Sequence, residues 1–403
     1  MTTETEELIS YPIVRHDDLQ MDEVYRQLQK RGPVEAQLPY GESNWVATSY
    51  DDCRFVLSDK RFNKAYGAGR DTPRMIVHRI ADHADSIPNM DGPAHTRVRR
   101  LCLPAFSTRQ MERTRASVVA IVDQALDEFE AAGTPSDWEE HVAWNVPLRV
   151  ITGILGVDQA DIPSFRSWID DMIAPSSSNE HRDEVLTNLM NYIAGLIEER
   201  RTTPSDDLLY VLASARENDD QLTDGELFQM ALVLFLAGFE TTAAQIGSMM
   251  WTLMWRRDLW QELVEDPSIR PAAIEELWRW IPAFRHGWPM VRWALEDVEL
   301  PSGVVIPAGK SVTSEIQIAN RDESVFPNGW ELDFHRDKPA PHLSLALGAH
   351  RCLGAALAQL EIEVVLDRVL ERFPTMELAV APEDVKWEAE TLLRTPAQLP
   401  LTW

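Results

Sequence analysis

The sequence LALGAHRCLG, residues 345–354, places one cysteine between two glycines, immediately before a segment with helical periodicity. Leucine and valine recur at helical spacing from 353 to 364, while polar residues, including Glu361, take the other face. Cys352 is therefore predicted at or just before a helix N-terminus, where the helix dipole and free N–H groups favour a thiolate. Gly348 and Gly354 allow a flat or bulky group to approach the backbone closely. Two alternatives stay open, an inert buried cysteine and a catalytic nucleophile whose base is not specified.

The composition is that of a globular enzyme of the reducing cytoplasm. Across 403 residues only Cys53, Cys102 and Cys352 occur, so neither a disulfide framework nor a four-cysteine metal site is supported. The first residues, MTTETEEL, are acidic where a secretory signal would be basic and then apolar. The net charge of −27 argues against a nucleic-acid partner, because phosphate contacts need clustered Lys and Arg.

One stretch of this acidic chain is strongly basic. Between residues 97 and 115 six arginines face a single acid, Glu112. The arginines are Arg97, Arg99, Arg100, Arg109, Arg113 and Arg115. A solvated helical face is the usual explanation for such a run, and a docking surface for an acidic protein is the alternative.

The pattern along the chain is typical of a mainly α protein with a small β-rich part, forming a single domain over residues 1–403. Helical periodicity dominates from roughly 92 to 280, with breaks near 133–135, 175–178 and 203–204. Short strand-like runs lie within roughly 40–50 and 297–316. No repeat or Gly/Ser-rich linker marks a boundary between independent domains.

The segment 228–255 is apolar enough to suggest a membrane span. Against that reading stand Glu240, a Thr-Thr pair, Gln245 and the capping box at residues 223–226, which belongs to a water-exposed helix start. We therefore expect a long central helix buried in a protein with no membrane contact. Within it, Gly238 makes room for a neighbour, and the buried acid and hydroxyl of Glu240 and Thr241 need partners or a function.

Two further pairs are weak signals when taken alone. Glu276 and Arg279 are three residues apart in a predicted helix and can pair on one face. His95 and Arg99 are four apart after Gly92-Pro93 and could clamp an anion such as a carboxylate. Each could equally be part of a solvated surface.

Taken together and in this order, these segments resemble the bacterial soluble cytochrome P450 monooxygenases over nearly the whole chain. The resemblance is carried by five motifs. They are HTRVR at 95–99, AGFET at 237–241, ELWR at 276–279, ANRD at 319–322 and GAHRCLG at 348–354. The resemblance implies the cytochrome P450 fold, with haem b (iron protoporphyrin IX) buried between the central helix and the helix after the cysteine loop, 345–354.

The resemblance also assigns roles to individual residues. Cys352 becomes the axial thiolate ligand of the haem iron, where thiolate donation favours O–O cleavage. Gly238 would lie against the haem face, and Glu240 and Thr241 would relay protons to bound dioxygen. The haem propionates would be held by His95, Arg99, Arg292 and His350, and the network supporting the cysteine loop would be Glu276, Arg279 and Arg336.

In one place the sequence departs from the family. The cysteine loop commonly begins Phe-Gly, whereas this chain has Leu345 and Ala346. Loss of the aromatic ring predicts an altered redox potential or loop rigidity, but it does not put ligation by Cys352 in doubt.

The resemblance further implies a small-molecule substrate and an electron donor. Substrate contacts are expected near 65–90, 168–179, 233–237, 284–290 and 392–393, where aromatic and sulfur side chains suit an apolar or aromatic compound. The specific predictions are Val233, Ala237, Phe284, His286, Trp288, Met290 and Leu392, and Asp170 or Asp171 could meet an amine. Electrons would come from NAD(P)H through a ferredoxin and its reductase. The ferredoxin would dock near Arg97, Arg100, Arg109, Arg113 and Arg351.

The expected activity is hydroxylation or epoxidation in bacterial secondary metabolism by a cytoplasmic, monomeric enzyme. One alternative is oxidative C–C or C–N coupling without oxygen insertion. Another is a haem-binding sensor or carrier. The presence of Glu240 and Thr241 argues against this alternative, because gas binding needs no proton relay.

Overall fold

A computed structural model describes residues 8–75, 86–173, 178–215, 220–286, 291–337, 340–389 and 391–403. The chain forms two compact units, each assembled from separate stretches of sequence. Unit 1 comprises residues 1–84, 88–92 and 271–352, and unit 2 comprises 85–87, 93–270 and 353–403. The prediction of a single domain over 1–403 stays a prediction.

The helices, in chain order, are α1 (Glu23–Arg31), α2 (Tyr50–Ser58), α3 (Gly92–Cys102), α4 (Thr108–Ala131), α5 (Asn145–Ile154), α6 (Ile162–Ile173), α7 (Asn179–Thr202), α8 (Leu208–Ser214), α9 (Asp224–Gly238), α10 (Glu240–Trp255), α11 (Arg257–Glu265), α12 (Arg270–Trp280), α13 (Ile316–Ala319) and α14 (Ala355–Arg372). The strands are β1 (Ile9–Ser10), β2 (Val34–Gln37), β3 (Asn44–Ala47), β4 (Phe62–Asn63), β5 (Ser136–Asp137), β6 (Val291–Ala294), β7 (Val298–Glu299), β8 (Val305–Ile306), β9 (Ser311–Ser314), β10 (Glu377–Leu378) and β11 (Pro400–Thr402).

Unit 1 is organised around a mixed sheet with strand order β1-β2-β3-β9-β6-β4. The β1–β2 and β3–β9 pairs are parallel, and the other neighbours are antiparallel. Strand β9 is buried along its whole length, and its Val312 joins an apolar core with Ala47, Phe62 and Ala294. The sheet therefore brings the N-terminal strands next to β6 and β9, which follow them by more than 200 residues.

Unit 2 is mostly helical and has a small antiparallel sheet, ordered β10-β11-β5. Most residues of α10 are buried on every side, which is typical of a helix in the core of a large protein. Asp224–Trp255 is long and apolar enough to cross a membrane by length and composition, but 56% of its most apolar window is buried within the protein. That burial favours a core helix.

The predicted mainly α architecture with a small β-rich part is confirmed, and three details differ from the sequence analysis. The central helix is interrupted at Phe239, between α9 and α10. Glu361, predicted on the polar face of α14, is buried, and burial raises its pKa well above the usual value. Strand β6 was not predicted, because its four residues lack the alternation of a half-buried strand and all four are buried.

Candidate functional site

The cysteine loop lies in unit 1 as far as Cys352, the last residue of that unit, and the Cys352 side chain is exposed. The backbone N–H of Cys352 donates to the carbonyl of Leu345 at 2.9 Å, which closes the loop. Gly348 has φ +69°, and a Cβ there would lie 2.8 Å from the carbonyl oxygen of Leu57, so only glycine fits. Gly354 is the N-cap of α14, as the sequence predicted for a helix just after the cysteine.

The departure at Leu345 and Ala346 has a backbone explanation. Ala346 is buried and has φ +54°, a left-handed conformation that costs an L-residue about 1–2 kcal/mol relative to its usual regions. Glycine adopts this conformation without a Cβ penalty. A Phe-Gly start therefore fits this loop more easily than the Leu-Ala start of this chain.

His350 lies in the same loop and contacts Asp91. The His350 Nε2 and Asp91 Oδ1 atoms are 3.2 Å apart, while Asp91 Oδ2 accepts from the backbone N–H groups of Lys64 at 2.5 Å and Ala65 at 2.8 Å. Burial lowers the pKa of His350, against the opposing effect of Asp91. Burial tends to raise the pKa of Asp91, but the bonds from His350, Ala65 and Lys64 outweigh it, so that pKa is lowered. No sequence signal pointed to Asp91.

Arg292, on β6 of unit 1, is a buried cation. Its side chain is 2% exposed, and among the described residues its guanidinium donates only to the carbonyl of Val291, at 3.4 Å. Burial lowers the pKa of Arg292 to about 10, and Asp91 partly offsets that effect. A buried guanidinium with so few acceptors favours an anionic ligand.

The structure assembles the predicted charge network of unit 1. Arg279 donates to both carboxylate oxygens of Glu276, at 2.7 and 2.8 Å, and Arg336 Nε donates to Glu276 at 3.1 Å. Arg279 also donates to the carbonyls of Asn320 and Gly329. Glu276 and Arg279 are both buried, so this is an internal network rather than a solvated surface pair.

In unit 2, α3 carries His95 and Arg99 one turn apart, with His95 buried and Arg99 half-buried. Arg97 projects from the same helix into a different set of contacts. Its guanidinium donates to Asp220 at 2.8 and 2.9 Å and to Glu226 at 2.6 Å. Two carboxylates of unit 2 thus pair with Arg97, which weakens its prediction as a docking cation, and that role stays a prediction.

The interruption of the central helix contains the acid and the alcohol. Glu240 is the first residue of α10, and burial alone raises its pKa to about 7. The Thr241 hydroxyl donates to the carbonyl of Ala237 at 2.9 Å, and that of Thr242 donates to Gly238 at 3.4 Å. These bonds satisfy carbonyls that the break would otherwise leave open. A Cβ on Gly238 would lie 2.9 Å from Ile151 Cδ1 on α5, so a larger residue at this position would require the Ile151 side chain to shift.

The predicted substrate contacts fall in both units. In unit 2, Val233 and Leu392 are half-buried and Ala237 is exposed. In unit 1, the Phe284 carbonyl accepts from Gln317 at 2.5 Å. Trp288 and Met290 lie outside the described residues, as do parts of 65–90 and 168–179.

His286 has contacts of its own inside unit 1. It is buried, its Nδ1 lies 3.2 Å from Glu315 Oε2, and its ring lies 3.9 Å from that of Tyr25, centroid to centroid. These contacts anchor the start of the segment 284–290. Glu315 was not found from the sequence, because its partner is 29 residues away and no local pattern links them.

Comparison with known proteins identifies the architecture. The sequence model described as Cytochrome P450 matches residues 8–268 and 268–401. The chain belongs to the cytochrome P450 family. Nocardicin C N-oxygenase of Nocardia uniformis is 39% identical and mycinamicin IV hydroxylase/epoxidase of Micromonospora griseorubida is 36% identical, each match covering 98% of both chains. The crystal structure of the LnmA cytochrome P450 hydroxylase of Streptomyces atroolivaceus is 38% identical, with a TM-score of 0.92, 98% of this chain covered and 100% of that one.

Membership of the family fixes the class of chemistry. The cytochrome P450 is a haem-thiolate oxidoreductase, a monooxygenase that uses haem and dioxygen on a small molecule. The residues present fit that cofactor. Its iron needs an accessible thiolate and its carboxylates need cations, which the exposed Cys352 and the buried Arg292 can supply.

Proposed function

We propose that the cytochrome P450 inserts oxygen into an apolar or aromatic small molecule of bacterial secondary metabolism, by hydroxylation, epoxidation or oxygenation at nitrogen. The observation that carries the proposal is the acid and alcohol at the break in the central helix. Relatives named as a hydroxylase/epoxidase and as an N-oxygenase support this class of reaction. The substrate contacts proposed are Val233, Ala237, Phe284, His286, Trp288, Met290 and Leu392.

The haem b cofactor supplies oxygen activation when bound, and the side chains of this chain bind it and move protons. Cys352 would hold its iron through the thiolate. His95, Arg99, Arg292 and His350 would hold its propionates, and Gly238 would leave room for it. The network of Glu276, Arg279 and Arg336 is proposed to hold the cysteine loop in place.

Glu240 and Thr241 are proposed to deliver protons. A carboxyl with a pKa near 7 exchanges protons readily at neutral pH, whereas a solvated glutamate is almost fully ionised there. The Thr241 hydroxyl, which donates to Ala237, keeps its oxygen lone pairs available to accept from a water. The pair can therefore pass a proton from Glu240 towards the reacting oxygen.

The cofactor assignment is tested by absorption spectroscopy of the dithionite-reduced protein under carbon monoxide. Wild type should give the strongly red-shifted Soret band of a thiolate-ligated haem, and Cys352→Ser should lose it. Cys102→Ser, at a buried cysteine in unit 2, is the matched control and should keep the band. A band like that of a histidine-ligated globin in the wild type would overturn the assignment.

Oxidative C–C or C–N coupling is the second candidate, because a cytochrome P450 with biaryl coupling reactivity is 39% identical with a TM-score of 0.92. Turnover under isotopically labelled dioxygen separates the two reactions. Oxygen insertion places the label in the product, whereas coupling leaves the product unlabelled. A haem carrier without turnover would give no product in either case.

We propose that the enzyme is a cytoplasmic monomer and that it receives electrons from NAD(P)H through a ferredoxin and its reductase. In unit 2, Arg100, Arg109 and Arg113 are exposed, and Leu103 between them is 48% exposed, which suits an acidic partner with an apolar centre. Arg351, in unit 1, is exposed and stays in the proposed set.

Charge reversal tests this docking surface. The double variant Arg100→Glu and Arg113→Glu should slow ferredoxin-supported turnover, and the defect should be largest at low salt, where charges are least screened. Arg201→Glu on α7, a single charge reversal that changes the net charge by half as much, is the control, and it should leave the rate unchanged. An unchanged rate in the double variant would indicate that these arginines form a solvated helical face and not a docking surface.

A further inference from the structure

The register of the unit 1 sheet places a second cation beside Arg292. Strand β4 pairs antiparallel with β6, so that Phe62 faces Ala294 and Asn63 faces Trp293. The ladder ends at this pair. Lys64 directly follows Asn63 with a helical backbone conformation, φ −91° and ψ −43°, and Arg292 directly precedes Trp293, so the two cations are close enough for the charge of Arg292 to act on Lys64. Like charges close together in a buried position repel each other, so this arrangement favours a compensating anion.

Within the described residues of unit 1, one carboxylate stands near both cations. It is Asp91, and both of its oxygens already have partners, His350 on Oδ1 and the backbone N–H groups of Lys64 and Ala65 on Oδ2. The ammonium of Lys64 forms no ion pair with any described carboxylate. Asp91 thus fixes the backbone of Lys64 and the ring of His350 without neutralising the two cations.

The electrostatics of the cluster agree with this geometry. Burial and the charge of Arg292 lower the pKa of Lys64 to about 7, against the opposing effect of Asp91. A second anion in this cluster would relieve the repulsion between Lys64 and Arg292.

We propose that Lys64 binds a carboxylate of the haem alongside Arg292, and that Asp91 is the positioning residue that holds Lys64 and His350 for this contact. The inference rests on the proposed assignment of Arg292 and His350 to the haem propionates. An anion with two oxygens and access to both cations is what the cluster lacks. A haem propionate has that chemistry, and haem is the group that this family binds.

The test compares the loss of haem b with the loss of its dimethyl ester, in which both propionates are uncharged. Wild type and Lys64→Gln are reconstituted with each, and transfer of the ferric porphyrin to excess apomyoglobin is followed. Lys64→Gln should lose haem b about tenfold faster, as expected for one lost bond to a charged group. Its rate for the dimethyl ester should equal that of the wild type. Lys60→Gln, at an exposed lysine four residues away, should match wild type with both.

The outcomes separate this inference from the assignment on which it rests. Equal rates of haem b loss in wild type and Lys64→Gln, or an equal acceleration for haem b and ester, would overturn the role of Lys64. If Arg292→Gln accelerates loss of haem b but not of ester while Lys64→Gln does not, only Lys64 is excluded. If neither variant distinguishes the two porphyrins, the propionate assignment itself fails. If Lys64→Gln does not fold or take up haem, Lys64→Met, which keeps the apolar part of the lysine side chain, replaces it in the same comparison.

Discussion

The raised pKa of Glu240 makes protein stability depend on pH in a predictable direction. The unfolded carboxyl titrates near 4.5 and the folded one at about 7, so the folded protein binds the proton more tightly. The unfolding free energy therefore falls as the pH rises through this interval. With 1.36 kcal/mol per pKa unit, the contribution is at most about 3 kcal/mol, since the carboxyl is not fully sealed from water.

Glu240→Gln replaces the carboxyl with a group that does not titrate. The thermal midpoint of the holoprotein, measured from pH 5 to 8, should fall more in wild type than in the variant. Buried Glu139 and Glu361 also have raised pKa values, but they titrate in both proteins and cancel in the difference. Glu383→Gln, at an exposed glutamate of unit 2, should track the wild type. A difference between wild type and Glu240→Gln that stays constant over the whole range would refute the raised pKa.

Three further outcomes follow from the site. Thr241→Ala should uncouple consumption of reducing equivalents from product formation, measured as the product-to-NAD(P)H ratio, and an unchanged ratio would exclude its proton role. Arg279→Met leaves the buried Glu276 carboxylate without its main partner and should destabilise the protein by about 3–5 kcal/mol, seen as a lowered thermal midpoint; an unchanged midpoint would contradict this. Ala346→Gly should raise the midpoint by relieving the positive φ, a gain of about 1 kcal/mol, and a lowered one would show that the methyl group contributes more than the strain costs.

The sequence predicted the elements whose signals are local. The helix after Cys352 was predicted from the spacing of its leucines, and α14 begins at Ala355. Glu276 and Arg279 pair as their spacing of three allows. In each case the partners lie within one helix, so periodicity alone indicates that they meet.

Periodicity within one element could not predict contacts between segments that are far apart in the sequence. Asp91 and His350 are 259 residues apart, and the pairing of β4 with β6 that brings Lys64 near Arg292 depends on a strand, β6, with no alternating pattern. The break at Phe239 was also missed, because a phenylalanine in an apolar run gives no helix-stop signal. Such features depend on tertiary packing, which a single sequence does not display.

The division of the chain between the two units has a consequence for synthesis. Unit 1 needs residues from the N-terminal strands and from 271–352, so its sheet lacks β6 and β9 until most of the protein has left the ribosome. Domains built from contiguous sequence can fold during synthesis, N-terminal part first. Here the early strands must wait with their edges unpaired, and the last residue of unit 1 to emerge is Cys352. The ligand proposed for the iron thus appears only when its own unit can be complete.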